Sequence, residues 1–207
     1  MTALRPPLTA CKWLLPSWGI AVLAGFAWLQ LYAATPETQG RAPLVWPPSS
    51  SLPRSADGST LLVFIHPYCP CSRATLEELA AMMSRCDGRL KALVLFVIPG
   101  SERAAWERHE YWRTAAAIPG VQAGLDRDGV EASRFGARTS GQTILFDREG
   151  VRRFAGGITV FRGHVGDNDG RNAVVAWVNA GRAEVSATPT FGCALPVPPE
   201  PATGVSP

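Results

Sequence analysis

Two cysteines, Cys69 and Cys71, flank a proline in the run His-Pro-Tyr-Cys-Pro-Cys-Ser at residues 66–72. The apolar run at residues 61–66 predicts a buried strand before them, and the apolar spacing of residues 70–86 predicts a helix after them. Where a strand turns into a helix, free N–H groups and the helix dipole stabilise a thiolate over a thiol. This placement therefore predicts nucleophilic sulfur chemistry, either thiol–disulfide exchange or oxidation to a sulfenic acid.

The start of this helix has a specific predicted geometry. Cys69 is expected to cap the helix and Pro70 to be its first residue. The backbone N–H at the first helical position has no partner within the helix, so proline, which lacks that N–H, is favoured there. The residue before a proline favours an extended conformation, which suits a cap. Arg73 adds positive charge one turn into the helix, so we expect a lowered pKa for Cys69. Cys71 is the nearest disulfide partner, and a disulfide between residues two apart closes a strained, easily reduced ring.

Two histidines and a later cysteine give a metal-binding alternative. His66 ends the first predicted strand, His164 lies in a Gly-rich loop, and Cys193 lies in a C-terminal stretch that could fold back. Two imidazoles with two or three thiolates could bind copper or zinc. The alternative prediction is a copper site of Cys69, Cys71 and His164, with Cys193 as a further ligand. Cys193 could instead resolve an oxidised Cys69 or be a free thiol, and both histidines could be hydrogen-bonded structural residues.

The two remaining cysteines are predicted to take no part in this chemistry. Cys86 falls on the apolar face of the predicted helix with Leu79 and Met83, about 25 Å of helix away from Cys69. We expect it to be a buried core thiol. Cys11 precedes an apolar segment and is expected to be an ordinary thiol. So few cysteines in a chain of this size do not form a disulfide framework.

The apolar segment Trp13–Ala34 carries no charged side chain and is close to the roughly 20 residues that cross a bilayer as a helix. Arg5 and Lys12 precede it, which favours an N-terminus on the inside. We therefore expect a single-pass protein of a bacterial inner membrane, with its C-terminal domain in the periplasm or outside. A cleaved signal peptide is the rival interpretation, although Leu31 or Tyr32 would then occupy a position that favours a small residue.

Composition suggests how the rest of the chain is divided. Net charge is +3 with basic and acidic residues interleaved, and no basic run indicates a nucleic-acid partner. A stretch rich in Pro, Ser and Gly follows the apolar segment, and another Pro-rich stretch ends the chain. The predicted parts are a cytoplasmic tail at 1–12, an anchor at 13–34, a linker at 35–58, a folded domain at 59–188 and a tail at 189–207.

The folded domain shows an alternating pattern of strands and helices. After the cysteine helix, the predicted elements are a strand at 90–98, a helix at 101–118, a strand at 121–126, a short helix at 130–135, strands at 143–147 and 151–155, and a helix at 171–182 capped by Asn168 or Asp169. This order predicts an α/β sandwich with a central mixed sheet. Its early strands should be parallel, with a hairpin at one edge.

This order of elements, with a cysteine motif after the first domain strand, resembles the thioredoxin fold. The stretch at 126–150 resembles exported, membrane-anchored thioredoxin-like proteins of the TlpA and ResA type. The chain is also similar to bacterial RedB proteins, through residues 66–74, 139–142, 156–159 and 162–168. The resemblance implies a three-layer thioredoxin-like sandwich and a redox role. Two departures stand out: Ser72 takes the place of the second cysteine of Cys-x-x-Cys, and Gln142 takes the place of a cis-proline that faces the active site.

The function predicted from these features is thiol–disulfide exchange by a membrane-tethered, extracytoplasmic thioredoxin-like protein. Cys69 would be the nucleophile and Cys71 its partner. Supporting roles at the site are expected for four neighbours: His66, Ser72, Arg73 and Gln142. No organic cofactor is required, because the dithiol carries the electrons, and the expected partner is a protein thiol or disulfide substrate or a reductase. A metal-handling protein and a binding module with vestigial cysteines are the alternatives.

Overall fold

The computed structural model describes residues 8–101 and 109–198. The chain divides into two compact units, the first ending at Thr35 and the second beginning at Pro36. The helix of the first unit is α1 (Leu8–Ala34), whose apolar part has 22 residues and a mean hydropathy of 1.5. By length and composition it is a candidate membrane span, and a signal sequence near the N-terminus would meet the same criteria.

A five-stranded mixed sheet forms the centre of the second unit. Its strands are β1 (Ser59–Ile65), β2 (Leu90–Ile98), β3 (Val121–Arg127), β4 (Thr143–Phe146) and β5 (Arg152–Gly156). The strand order is β3-β2-β1-β4-β5. The first three strands are parallel, β4 runs antiparallel to β1, and β5 runs antiparallel to β4. The predicted mixed sheet with an edge hairpin is therefore confirmed.

In the described ranges four helices accompany the sheet: α2 (Ser72–Arg85), α3 (Glu110–Ala116), α4 (Val130–Arg134) and α5 (Asp169–Ala180). The predicted cap of the last helix is confirmed, because the Asn168 side chain accepts a hydrogen bond from the Arg171 N–H at 2.7 Å. The helix predicted at 101–118 falls partly on residues 102–108, which lie outside the described residues. Its described part is α3, which His109 caps.

The sheet lies between two layers, as the three-layer prediction requires. On one face the apolar side chains of α2, α3 and α5 pack against alternate residues of β1, among them Leu61 and Val63. On the other face Leu62 and Phe64 pack against α4 and the aromatic residues around it. Because β1 is central and apolar on both faces, each fully buried side chain in it contributes about 1.5–3 kcal/mol to stability.

Residues 36–58, which composition predicts as part of a linker, contact the folded domain. The Trp46 ring lies edge-on against the rings of Phe135 and Phe146, with centroids 5.0 and 5.1 Å apart. The backbone N–H of Trp46 also donates a hydrogen bond to the Gly150 carbonyl at 2.8 Å. Ala42 and Leu52 of the same segment also pack in this cluster, so residues 36–58 belong to the domain's core.

Trp46→Ala should therefore lower the free energy of unfolding of the domain by about 2–3 kcal/mol, because it removes a half-buried ring from the core. Guanidinium unfolding of the full chain in detergent measures the change. Leu44→Ala is the matched control, since Leu44 is 68% exposed, and we expect it to change the free energy by less than about 0.5 kcal/mol. Equal unfolding midpoints for the two variants would show that residues 36–58 do not belong to the core.

Candidate functional site

The cysteine motif lies where β1 ends. The chain leaves the sheet at His66 and turns tightly, since the Cys69 N–H donates to the His66 carbonyl and the Ser72 N–H donates to the Cys69 carbonyl, each at 3.0 Å. The first helical bond runs from the Thr75 N–H to the Cys71 carbonyl, so Cys71 is the N-cap of α2. The prediction that Cys69 caps the helix is wrong by two residues. The reason is that the Ser72 N–H bonds the Cys69 carbonyl three residues back, as in a 3₁₀ turn, whereas the first bond of α-helical spacing, from the Thr75 N–H, starts at Cys71.

Cys69 is fully buried, and the thiols and backbone N–H groups of Cys71 and Cys193 favour the charged form of its sulfur. The Cys71 thiol has the largest effect and lowers the pKa of Cys69, whereas burial raises that pKa. The Cys193 thiol and the backbone N–H groups of Cys193 and Cys71 lower the pKa further. Together they bring the pKa of Cys69 from 9.0 to about 4. The direction agrees with the prediction, and so does the part played by backbone N–H groups, but the two neighbouring thiols take the place of the positive charge expected from Arg73.

The two donor thiols shift in the opposite direction. The pKa of Cys71 is raised because its thiol donates to Cys69, and burial and the nearby negative charge add to this. Burial raises the pKa of Cys193 to about 11, together with its hydrogen bond to Cys69. The positive charge of Arg162 acts against both shifts. One negative charge is therefore held on Cys69, and two partly exposed thiols donate to it.

Arg162 lies at the site, whereas Arg73 is engaged elsewhere. The Arg162 guanidinium is nearly buried, lies 2.5 Å from a Glu37 carboxylate oxygen, and donates to the Gly192 carbonyl. The Arg73 side chain is 76% exposed and pairs with Glu77 at 2.9 Å along α2. The sequence alone assigns no role to Arg162, although this residue lies in one of the segments that resemble RedB proteins. A supporting role for Arg73 stays a prediction.

His66 and Ser72 hold the turn through a closed set of hydrogen bonds with Ser140. The Ser72 hydroxyl donates to the His66 carbonyl at 3.0 Å, and the His66 N–H donates to the Ser140 hydroxyl at 2.9 Å. Because Ser72 has already used its only proton, the Ser140 hydroxyl must donate to the Ser72 oxygen, 3.1 Å away. Ser72 thus provides a buried structural bond at the position where Cys-x-x-Cys proteins have a second thiol. Ser140 was not identified from the sequence.

Gln142 lies directly before β4, with its side chain buried. Its amide nitrogen donates to the Gly136 carbonyl, and its oxygen accepts from the Arg138 N–H, both at 3.0 Å. The carboxamide therefore closes the loop that leads into β4. The bonds from this loop to the stretch that carries Cys193 are made by the main chain of Arg138 and Ser140, so the proposed lining role of Gln142 stays a prediction.

The segment 190–195, here called the C-terminal segment, brings Cys193 to Cys69. The Ser140 N–H donates to the Cys193 carbonyl and the Leu195 N–H donates to the Arg138 carbonyl, both at 2.8 Å. At Gly192 the approach is so close that a Cβ would lie 2.0 Å from the Ser140 carbonyl oxygen. Only glycine allows that contact without a backbone shift. The sequence left the position of Cys193 open, and the structure places its thiol at the site.

His164 has other partners in the described part of the chain. Its Nδ1 atom lies 3.0 Å from the Arg162 carbonyl oxygen, and its exposed ring lies edge-on to Phe161. Within residues 8–101 and 109–198, no group of three or more His, Cys, Asp or Glu side chains has an arrangement that could hold a metal ion. The copper site remains a prediction. Cys86 is fully buried in the core that α2 helps to form, as expected, and burial raises its pKa.

No protein-family model matches the chain, and no curated protein matches it significantly. Solved structures do. A hypothetical protein from Sinorhizobium meliloti 1021 is 19% identical with a TM-score of 0.60, and covers 78% of this chain and 99% of its own. An uncharacterized conserved protein from Geobacillus kaustophilus is 17% identical with a TM-score of 0.55, and the match covers 78% of this chain and 92% of that protein.

The exposed lipoprotein thioredoxin Etrx1 from Streptococcus pneumoniae is also similar, with 16% identity, a TM-score of 0.41 and coverage of 60% of this chain and 85% of its own. The strand order, with β1 between a parallel and an antiparallel neighbour and a cysteine turn at its end, is that of a thioredoxin-like fold. The protein therefore has a thioredoxin-like fold, with three thiols meeting at the end of its central strand.

Gly192→Ala should displace the C-terminal segment and uncover Cys69. We expect the rate of alkylation of Cys69 by iodoacetamide at pH 7 to rise by about tenfold or more, because local opening then costs less free energy. Mass spectrometry of the tryptic peptide 55–73, from the full chain in detergent, measures that rate.

Ala194→Ser is the matched control, because it adds one heavy atom at an exposed neighbouring position and should leave the rate unchanged. Cys86 provides an internal check on folding, since it is also fully buried and should stay unreactive in both variants. An unchanged Cys69 rate in Gly192→Ala would contradict the covering role of the C-terminal segment.

Proposed function

We propose that this protein is a membrane-tethered, extracytoplasmic thiol–disulfide oxidoreductase, with Cys69 as its nucleophile and Cys71 as its partner. The observation that supports this most directly is the hydrogen-bonded Cys69 sulfur at the end of β1, whose pKa is lowered to about 4. A thiolate is the reactive form in disulfide exchange, and a sulfur with a pKa below ambient pH is deprotonated without a separate base.

The reaction follows from the two neighbouring sulfurs. The Cys69 thiolate attacks one sulfur of a substrate disulfide, and the other substrate sulfur leaves as a thiolate that takes up a proton. The Cys71 thiol then loses its proton and attacks the Cys69 sulfur, which closes a Cys69–Cys71 disulfide and releases the second substrate sulfur. Two electrons pass from the protein to the substrate, and the reverse sequence oxidises a substrate dithiol.

Access to Cys69 requires movement, because the sulfur itself has no exposed surface whereas Cys71 and Cys193 are partly exposed. The C-terminal segment is the cover, since it contributes one of the two thiols above Cys69. Exposed aromatic side chains lie beside both segments that meet here: Tyr68 precedes Cys69, and Phe161, from the loop before α5, contacts the buried Phe191 of the C-terminal segment. Exposed apolar groups beside the thiols favour a protein substrate or reductase as the partner.

The membrane attachment in this proposal depends on α1. The apolar span of this helix, Trp13–Ala34, is able to act as a signal-anchor, and Arg5 and Lys12 before that span favour an inside N-terminus. The proposed location is a bacterial inner membrane, with the thioredoxin-like unit in the periplasm or outside. The resemblance to TlpA, ResA and RedB proteins supports an exported redox protein and leaves its substrate to experiment.

Cys69→Ser should abolish disulfide formation by the protein. When the reduced full chain in detergent is treated with oxidised glutathione, the wild type should lose a pair of free thiols, as judged by maleimide labelling and mass. The Cys69→Ser variant should form no intramolecular disulfide, because no sulfur then remains with a lowered pKa. Cys86→Ser is the control and should behave like the wild type.

The copper alternative is tested on the same material. Purified chain that carries about one copper ion, with thiols that label only after chelation, would favour metal binding over exchange. Failure of Cys69 to react with the disulfide even in Gly192→Ala, where the site is open, would contradict the proposed oxidoreductase function.

A further inference from the structure

The third cysteine of the site has no counterpart in the two-cysteine mechanism, yet it contacts the reactive sulfur directly. The Cys193 carbonyl accepts a hydrogen bond from the Ser140 N–H at 2.8 Å, and the Ser140 hydroxyl accepts from the His66 N–H at the end of β1, so Cys193 lies beside Cys69, whose pKa it lowers. Building on the proposed oxidoreductase function, we propose that Cys193 is a third redox-active residue. In the stable oxidised form Cys69 is bonded to Cys193, and this disulfide ties the C-terminal segment to the turn before α2.

A Cys69–Cys71 disulfide would conflict with the local backbone. Cys71 has helical dihedral angles, φ −68° and ψ −20°, and its carbonyl accepts the first helical bond from Thr75. The turn that begins at Cys69 is closed by the bond from the Ser72 N–H. A disulfide between residues two apart would have to distort this turn, and a distorted disulfide is more easily broken. The Cys69–Cys71 bond is therefore suited to a transient state.

A Cys69–Cys193 disulfide avoids this conflict because Cys193 arrives on a separate segment. Its main chain already lies against the site, since its carbonyl accepts from the Ser140 N–H at 2.8 Å and the Ser140 hydroxyl in turn accepts from the His66 N–H. Arg162 holds the preceding residue, Gly192, through its carbonyl.

The exchange between the two disulfides needs no external oxidant. The Cys193 thiol loses its proton and attacks the Cys69 sulfur of the Cys69–Cys71 bond, and Cys71 leaves as a thiolate that takes up that proton. One S–S bond breaks, one forms, and no net electrons move. The two electrons were already passed to the substrate disulfide in the preceding step.

The consequence is a link between redox state and access. With the Cys69–Cys193 bond formed, the C-terminal segment is covalently held over the site, and the oxidised protein is closed. Reduction by a protein dithiol frees the segment, so that Cys69 can meet a new substrate. Ser72, at the position of the usual second thiol, has no sulfur, which leaves the resolving role to the two thiols that contact Cys69.

Tryptic mapping distinguishes the two disulfides. Cleavage after Lys and Arg leaves Cys69 and Cys71 together in peptide 55–73, and Cys193 alone in peptide 183–207. Cys86 falls in peptide 86–89. The reduced full chain in detergent is oxidised with oxidised glutathione to equilibrium, quenched in acid, alkylated and digested without reductant.

We expect most of the oxidised wild type to yield peptide 55–73 cross-linked to peptide 183–207, and Cys86→Ser to give the same result. The Cys193→Ser variant should instead yield peptide 55–73 with an internal disulfide. A wild-type digest in which the internal disulfide predominates and Cys193 stays alkylated would overturn this inference but leave the proposed exchange intact. Absence of any disulfide on Cys69 in both proteins would overturn the proposed function itself.

Hydrogen exchange provides a second readout, in which the oxidised and reduced forms of the wild type are compared with each other. In the wild type, amides of the C-terminal segment should exchange about tenfold or more slowly after oxidation, because the cross-link prevents local opening. In Cys193→Ser, oxidation should leave their exchange rates unchanged. Equal rates in the oxidised and reduced wild type would contradict the closed oxidised state.

Discussion

A charge on a fully buried sulfur needs hydrogen-bond donors, and the candidate site is organised around that need. Cys69 lies at the end of the central strand, where it is shielded from solvent, and its negative charge is compensated by the thiols and N–H groups of Cys71 and Cys193. One donor residue comes from the same turn and the other from a segment distant in sequence. The site is therefore complete only when the whole domain is folded.

The contacts that hold the distant donor extend into the core. The C-terminal segment is bonded to the loop before β4 through Ser140, and Arg162 holds it from the other side. The loop that carries Arg162 is in turn fixed by α2, because the Gly166 N–H donates to the Glu78 carboxylate at 2.6 Å. Glu78 is fully buried and pairs with Arg171 of α5 at 2.5 Å. Loss of one partner of a buried ion pair leaves an uncompensated buried charge and is strongly destabilising, which favours a single position of the loop.

The sequence predicts the elements well where the information is local. The apolar run of β1, the spacing of α2 and the cap at Asn168 all depend on neighbouring residues, and the mixed sheet follows from their order. Contacts between residues far apart in the chain cannot be predicted from local residue patterns. Neither the position of Cys193 nor the contact of Trp46 with the core follows from residue spacing. For the same reason the sequence predicts a role for Arg73, which is near Cys69 in the chain, and none for Arg162, which is near it only in the fold.

The most direct test of this account is the titration of Cys69 in the reduced full chain in detergent. The ultraviolet absorbance of the thiolate, taken as the difference between wild type and Cys69→Ser, reports its ionisation. Because hydrogen-bond donors favour the charged form, the thiolate should appear as the pH rises through about 4 and be complete at neutral pH. A midpoint near 9.0, the ordinary value for a cysteine, would contradict the account.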